Sequence, residues 1–136
     1  SGGITMAKKV RIKSPKVAEP PPHSWSPALR VGDHVYIAGQ VAVNSKGKSV
    51  GRADALAQGR QVFRNIKALV EQAGGSMEDL VKITVYLTDI RHSEGVRQAR
   101  NEFIKGEPPT STLLVVTALA SPDFLVEIDA VAVLSD

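Results

Sequence analysis

The sequence predicts one α+β domain, with two helices on one face of a mixed, mostly antiparallel sheet. Three stretches predict it. Asp54 to Ala73 repeats apolar residues at three- and four-residue steps, the period of a helix buried on one side. Leu80 to Thr88 alternates, with Val81, Ile83, Val85 and Leu87 on one side and Lys82, Thr84, Tyr86 and Thr88 on the other, the period of a strand. Thr110 to Val133 reads as a closing hairpin, two strands joined at Ser121-Pro122-Asp123. With 136 residues, 43% of them apolar, the chain is long enough for a core of its own.

Taken in order, residues 1–24 are polar and basic and end in Pro20-Pro21-Pro22. They are expected to be a flexible tail of polyproline character ahead of a domain at 25–136. Ser1 to Thr5, ahead of Met6, are expected to be a remnant of expression, with Met6 the natural start. Trp25, the only tryptophan, stands where tail meets domain. Residues 28–43 read as a hairpin turning at Gly32-Asp33, and Gly39 inside its second strand suggests a bulge or a close backbone approach. Residues 44–48 form a solvated turn. The long helix has Asp54 near its N-cap and Gly74-Gly75 as its stop, followed by a capped turn at residues 76–79. His92 to Ile104 reads as a second helix, with Ser93 as N-cap and Val96, Ala99 and Phe103 as its apolar stripe.

Charge and composition exclude several classes. The formal net charge is +3, but five of the 17 basic residues lie in residues 1–16, where there is no acid. The remainder carries 12 basic against 14 acidic residues, a net of −2, which argues against a nucleic-acid partner. No run is apolar or long enough to span a membrane, and no apolar segment follows Lys8 and Lys9 as in a secretory signal. Cysteine is absent, which fits a cytoplasmic location and leaves no thiol chemistry. His23, His34 and His92 share no ligand spacing, so no metal site is expected. There is no G-x-S-x-G, Ser111 reads as structural, and Gly74-Gly75 stands at the wrong end of a helix for phosphate.

The chemistry is expected on the last strand. Glu127 and Asp129 fall on the same face, among apolar neighbours. They are either two solvated acids on an edge strand or the centre of a site. Arg91, Arg97 and Arg100 cluster on the second helix, and Arg97 and Arg100 share a face. The cluster reads as a solvated face or as an anion-binding edge. The sheet face away from the helices carries Thr84, Tyr86, Leu125 and Val131, too apolar together for a wet surface, so self-association is expected.

YIAGQVAVN, GRQVFRNIKALVEQAGGSMEDLVKITVYLTDI and PPTSTLLVVTALASPDFLVEIDAVAV together resemble the RidA family, also called YjgF or L-PSP, from about Trp25 to Val133. The resemblance implies a chorismate-mutase-like α+β fold. It also implies a homotrimer around a central barrel, ligand clefts between subunits, and cofactor-free hydrolysis of reactive imines and enamines. Residue by residue, it makes Glu127 the group that positions or activates water, and Gly39 a backbone wall of the cleft. Trp25 takes the place of an aromatic tyrosine, Arg97 that of an asparagine, and Thr112 that of a cysteine. Thr110 takes the place of the arginine that holds the substrate carboxylate. A hydroxyl cannot replace a bidentate guanidinium. Either Arg97 supplies the lost cation, or the ligand is not a carboxylate. Three functions follow: a C=N hydrolase with altered substrate preference, a non-catalytic trimeric small-molecule binder or regulator, and a ribonuclease or translation inhibitor.

Overall fold

The computed structural model describes residues 8–135, so the expected start at Met6 lies outside the described residues. The strands are β1 (Lys9–Ile12), β2 (Ala28–Val31), β3 (His34–Gln40), β4 (Leu80–Leu87), β5 (Thr110–Val115) and β6 (Val126–Val133). The helices are α1 (Ala55–Gln72) and α2 (Ser93–Phe103), and short 3-10 turns occupy Met77–Asp79 and Ile90–His92. One six-stranded sheet runs in the order β1-β2-β3-β6-β4-β5. Every neighbouring pair is antiparallel except β4 with β5, which is parallel.

α1 forms where its period predicts. Asp54 caps it by accepting a hydrogen bond from the Ala57 amide at 3.0 Å, and Gly74 follows its end with a positive φ. Its buried face (Val62, Phe63, Ile66, Leu69, Val70) meets Val35, Ile37, Ile83, Val85, Leu87, Val126 and Ile128 from the sheet in one core. Val96, Ala99 and Phe103 of α2 complete that core as the sequence predicts. The two helices lie close because neither Gly59 nor Gly95 carries a side chain. A Cβ on Gly59 would stand 2.9 Å from the Ala99 Cβ, and one on Gly95 2.8 Å from the Leu56 backbone nitrogen. Ser93 is the first residue of α2 rather than its cap; Asp89 caps the preceding turn by accepting from the Arg91 amide at 2.8 Å.

Two expectations change. Residues 110–133 are not a hairpin, because β4 stands between β5 and β6. β5 pairs in parallel with β4 after the α2 crossover, and residues 116–125 then carry the chain back to the far side of β4. The turn at Ser121 exists, with the Phe124 amide donating to the Ser121 carbonyl at 3.1 Å, but it joins no pair of neighbours. β6 therefore lies inside the sheet, between β3 and β4, so Glu127 and Asp129 are not on an edge strand.

Residues 8–24 also differ from a tail. Lys9–Ile12 pair antiparallel with β2, and Ile12, Ser14 and Val17 are buried. Only Ile12 turns to the core, while Lys9, Val10 and Arg11 stay exposed. Charged residues on an edge strand discourage pairing with another chain. The basic residues counted to a tail thus belong in part to the sheet, and Arg11 forms an ion pair with Glu19 at 2.9 Å. In β4 the register shifts between Leu80 and Lys82, so Leu80 is buried and Val81 is 43% exposed, the reverse of plain alternation.

Candidate functional site

The site begins with the alternation of β6. Val126, Ile128, Ala130 and Ala132 are buried against the helices, which sends Glu127 and Asp129 to the opposite face, where both are half-buried. Register pairs Glu127 with Tyr86 and Asp129 with Thr84. The Tyr86 hydroxyl donates to Asp129 Oδ2 at 3.0 Å, and that bond, with burial, raises the tyrosine pKa. Burial chiefly, and then the charge of Asp129, raise the pKa of Glu127 above the ordinary glutamate value. A reaction that needs the ionised Glu127 is therefore expected to switch on at a pH above the usual glutamate range. Asp129→Asn removes the second cause and is expected to move that acid limb to lower pH. A pH–rate profile checks this, and a limb that stays put or rises contradicts it.

Gly39 both bulges and approaches. The β3–β6 register shifts between Ile37 and Gln40. A Cβ built on Gly39 would stand 2.3 Å from Glu127 Oε2 and 2.8 Å from its Cδ, closer than real atoms come. The missing side chain of Gly39 is thus the space the carboxylate fills. Gly39 also walls a cavity of about 270 Å³ with Pro20, Pro21, Trp25, Pro27 and Asn65. Trp25 is 58% exposed, unusual for so large an apolar side chain, and faces this cavity from residues 17–27, which fold over the end of β3.

The remaining expected residues lie elsewhere. Arg97 lines a cavity of about 260 Å³ between α2 and β5, together with Arg100, Ser93, Ser111, Phe63 and Val85. Phe63, Val85 and Val96 belong to the core under the helices, so this cavity opens on the helical face of the sheet. Register places Ser111 and Leu113 beside Ile83 and Val85 on that same face. Thr110 and Thr112, one residue out of step, share the opposite face with Thr84 and Tyr86. Thr110 is engaged locally, donating from its hydroxyl to the Val81 carbonyl at 3.0 Å. Arg97 forms an ion pair with Glu94, and Arg91 pairs with Asp89 rather than joining the cluster. Ser111, which the sequence suggests is structural, lines the cavity; the signal was its alternation with Thr110 and Thr112.

The structure thus brings Trp25 and Gly39 together at one cavity, and Gly39 against Glu127. It does not bring Arg97 to Glu127: they lie on opposite faces, and β6 is two strands in from the β5 edge. Among the described residues no group of three or more His, Cys, Asp or Glu side chains converges as metal ligands would. No helix among them is long and apolar enough to cross a membrane.

The sequence model of the family described as Endoribonuclease L-PSP matches residues 16–134. A RutC family protein of Pyrococcus abyssi is 33% identical over 129 residues, covering 93% of this chain and 98% of its own. A 2-iminobutanoate/2-iminopropanoate deaminase of Dermatophagoides farinae is 28% identical over 124 residues, covering 91% and 96%. The crystal structure of RidA from the Antarctic bacterium Psychrobacter superposes with a TM-score of 0.81 at 33% identity, over 90% of this chain and 98% of that one. The fold of the sheet and helices, the span of the match and these relatives agree: the chain belongs to the RidA family, also called YjgF or endoribonuclease L-PSP.

Proposed function

We propose that the protein is a cofactor-free hydrolase of small imines or enamines, acting in the cytoplasm at clefts between the subunits of a homotrimer. The observation that carries the reading is the fit of the Glu127 carboxylate into the space left by Gly39. A half-buried carboxylate with a raised pKa, held against exposed backbone, is suited to take a proton from water. The hydroxide adds to the C=N carbon and the nitrogen is protonated. The resulting carbinolamine collapses, forming C=O and releasing ammonia. Gly39 and Thr112 offer hydrogen bonds, Trp25 stacks on the ligand, and Arg97 lies on the other half of the cleft. The name of the Dermatophagoides relative supports the reaction type.

The division of these residues supports the intersubunit reading. One chain places Glu127 and Thr112 on the outer sheet face and Arg97 on the helical face, so a cleft holding both halves needs a second copy. Apolar exposure points the same way. Leu113, Leu114 and Val115 of the edge strand β5 are 43–53% exposed, and Tyr36 on the outer face 48%. A second reading, a trimeric binder without the reaction, is favoured by Thr110. In place of a guanidinium it offers a hydroxyl already bonded to the Val81 carbonyl.

The test generates imines in place with an amino-acid oxidase and measures ammonia and 2-oxo acid. The catalytic reading expects release well above the spontaneous rate. Release at the spontaneous rate, with a small molecule bound and recovered intact, would establish the second reading instead.

A further inference from the structure

Trp25 can stack on a ligand only if the segment that carries it keeps its place beside Gly39. That segment, residues 17–27, is held at both ends. Val17 is buried, and its amide donates to the Ser14 carbonyl at 3.1 Å. The Pro27 carbonyl accepts from the Ala38 amide, next to Gly39, at 3.0 Å. Between those points, among the described residues, one side chain makes the only hydrogen bonds that join residues 18–26 to the rest of the chain. It is Arg11 of β1. Its Nη1 donates to Glu19 Oε2 at 2.9 Å, and its Nη2 stands 3.5 Å from the Trp25 carbonyl oxygen, the long limit of a hydrogen bond.

The sequence of the segment makes that clamp effective. Pro20, Pro21 and Pro22 each lock their φ angle, and the Ser24 amide closes a turn on the Pro21 carbonyl at 3.2 Å. The stretch from Glu19 to Trp25 therefore has few free torsions, and fixing its two ends fixes its course. His23 is held in the same turn at a φ of 61°, which residues other than glycine rarely adopt, so a segment set free would relax. A guanidinium suits the task, because its planar fork presents donors to a carboxylate and a carbonyl at once. Arg11 is absent from the wall of the Gly39 cavity, to which Glu19, Pro20 and Trp25 all belong. Its effect on a ligand there passes through the segment. Both contacts lie within one chain, so they do not depend on what a second copy adds to the cleft.

We infer that Arg11 is a positioning residue: by gathering Glu19 and the Trp25 carbonyl on one guanidinium, it stations the indole at the Gly39 cavity. Its consequence for substrate binding rests on the hydrolase reading; the hold on Trp25 does not. The two side chains of the ion pair are 43% and 45% exposed, so the hold is that of a solvated pair and weakens with salt. A ligand meets an indole already in place at low salt and has to order it at high salt.

Trp25 is the only tryptophan, so its fluorescence anisotropy reports the hold. Full-length wild type is compared with Arg11→Gln, Arg11→Lys, Glu19→Gln and Lys9→Gln. Lys9 is an exposed cation on the same side of β1 with no bond to the segment. At low salt Arg11→Gln and Glu19→Gln are expected to lower the anisotropy, Arg11→Lys to recover part of it, and Lys9→Gln to leave it at the wild-type value. In about 1 M salt, where charges act over only about 3 Å, wild type is expected to approach Arg11→Gln. With imines generated in place, Arg11→Gln is expected to raise KM about 2- to 5-fold at unchanged kcat, the loss of an exposed pair felt only in binding. Glu19→Gln, from the other side of the pair, decides the matter if Arg11→Gln does not fold. The inference is overturned if Arg11→Gln keeps the wild-type anisotropy at low salt, if Lys9→Gln lowers it as much, or if kcat falls with KM unchanged. Its failure is separable from that of the hydrolase reading. Anisotropy that depends on Arg11 and salt, in a protein that releases no ammonia, sinks only the reaction. Turnover with an anisotropy that ignores Arg11→Gln sinks only the inference.

Discussion

Glu127→Gln is expected to lower imine turnover about 10²- to 10⁴-fold, the usual contribution of a positioned general base. The amide keeps the size of the side chain and loses the charge that abstracts the proton. Stability is expected to move the other way. The folded-state pKa of Glu127 is raised, so its proton is held more tightly in the fold than in the unfolded chain. That contribution is present in full below the unfolded pKa and is lost as pH rises through the folded pKa. Above the folded pKa the ionised carboxylate therefore disfavours folding relative to a neutral isostere. The variant's Tm should equal or exceed that of wild type. Gly39→Ala should reproduce the catalytic loss without touching the glutamate. Its Cβ would overlap Oε2, which is the free end of a flexible side chain and swings away. The overlap is relieved at about 1–3 kcal/mol, typical of one extra carbon in a filled space. Rates for both variants beside their thermal melts check this. A Gly39→Ala protein of wild-type activity would show that the carboxylate has no fixed station.

Gln58→Leu is expected to be the most destabilising conservative change, by about 3 kcal/mol, or on the order of 10 °C in Tm. Gln58 is 1% exposed. Its Nε2 donates to the Asp123 carbonyl at 2.8 Å and to the Gly51 carbonyl at 3.2 Å, and its Oε1 accepts from the Leu125 amide at 2.9 Å. Leucine fills the space but leaves those backbone groups without a partner beneath α1, at about 1–3 kcal/mol for each that stays dry. Because Leu125 lies two residues before Glu127, the side chain also sets where β6 begins. A loss of less than 1 °C by calorimetry would mean that water replaces the amide.

The sequence makes local structure legible where one period dominates. α1 could be read to its cap because Asp54, the apolar stripe and Gly74 agree. Glu127 could be singled out because alternation puts two acids on one face of an apolar strand. Strand pairing was not legible. β5 and β6 alternate equally well as a hairpin or on either side of β4, since the period of two is the same in both arrangements. β1 was hidden by its own edge chemistry, the lysine and arginine that make Lys9–Ile12 resemble a solvated tail. At the site, spacing placed Arg97 and Arg100 on one face but could not rank them. The ion pair of Arg97 with Glu94, seen only in the fold, distinguishes the two. Gln58 reads as one more polar residue on a helix, and two of its three backbone partners, Asp123 and Leu125, come from a loop far away in sequence.

The measurement closest to the central claim, a cleft completed by a second copy with Glu127 as its base, is subunit mixing. Glu127→Gln protein and Arg97→Gln/Arg100→Gln protein are each prepared, unfolded, mixed in equal amounts and refolded together. In a closed ring whose sites each take one half from each neighbour, about one site in four regains both halves. Activity of the mixture should therefore rise to roughly a quarter of wild type, above either variant refolded alone. A mixture no more active than its components, with exchange verified by mass, would mean that each chain works by itself and would contradict the claim.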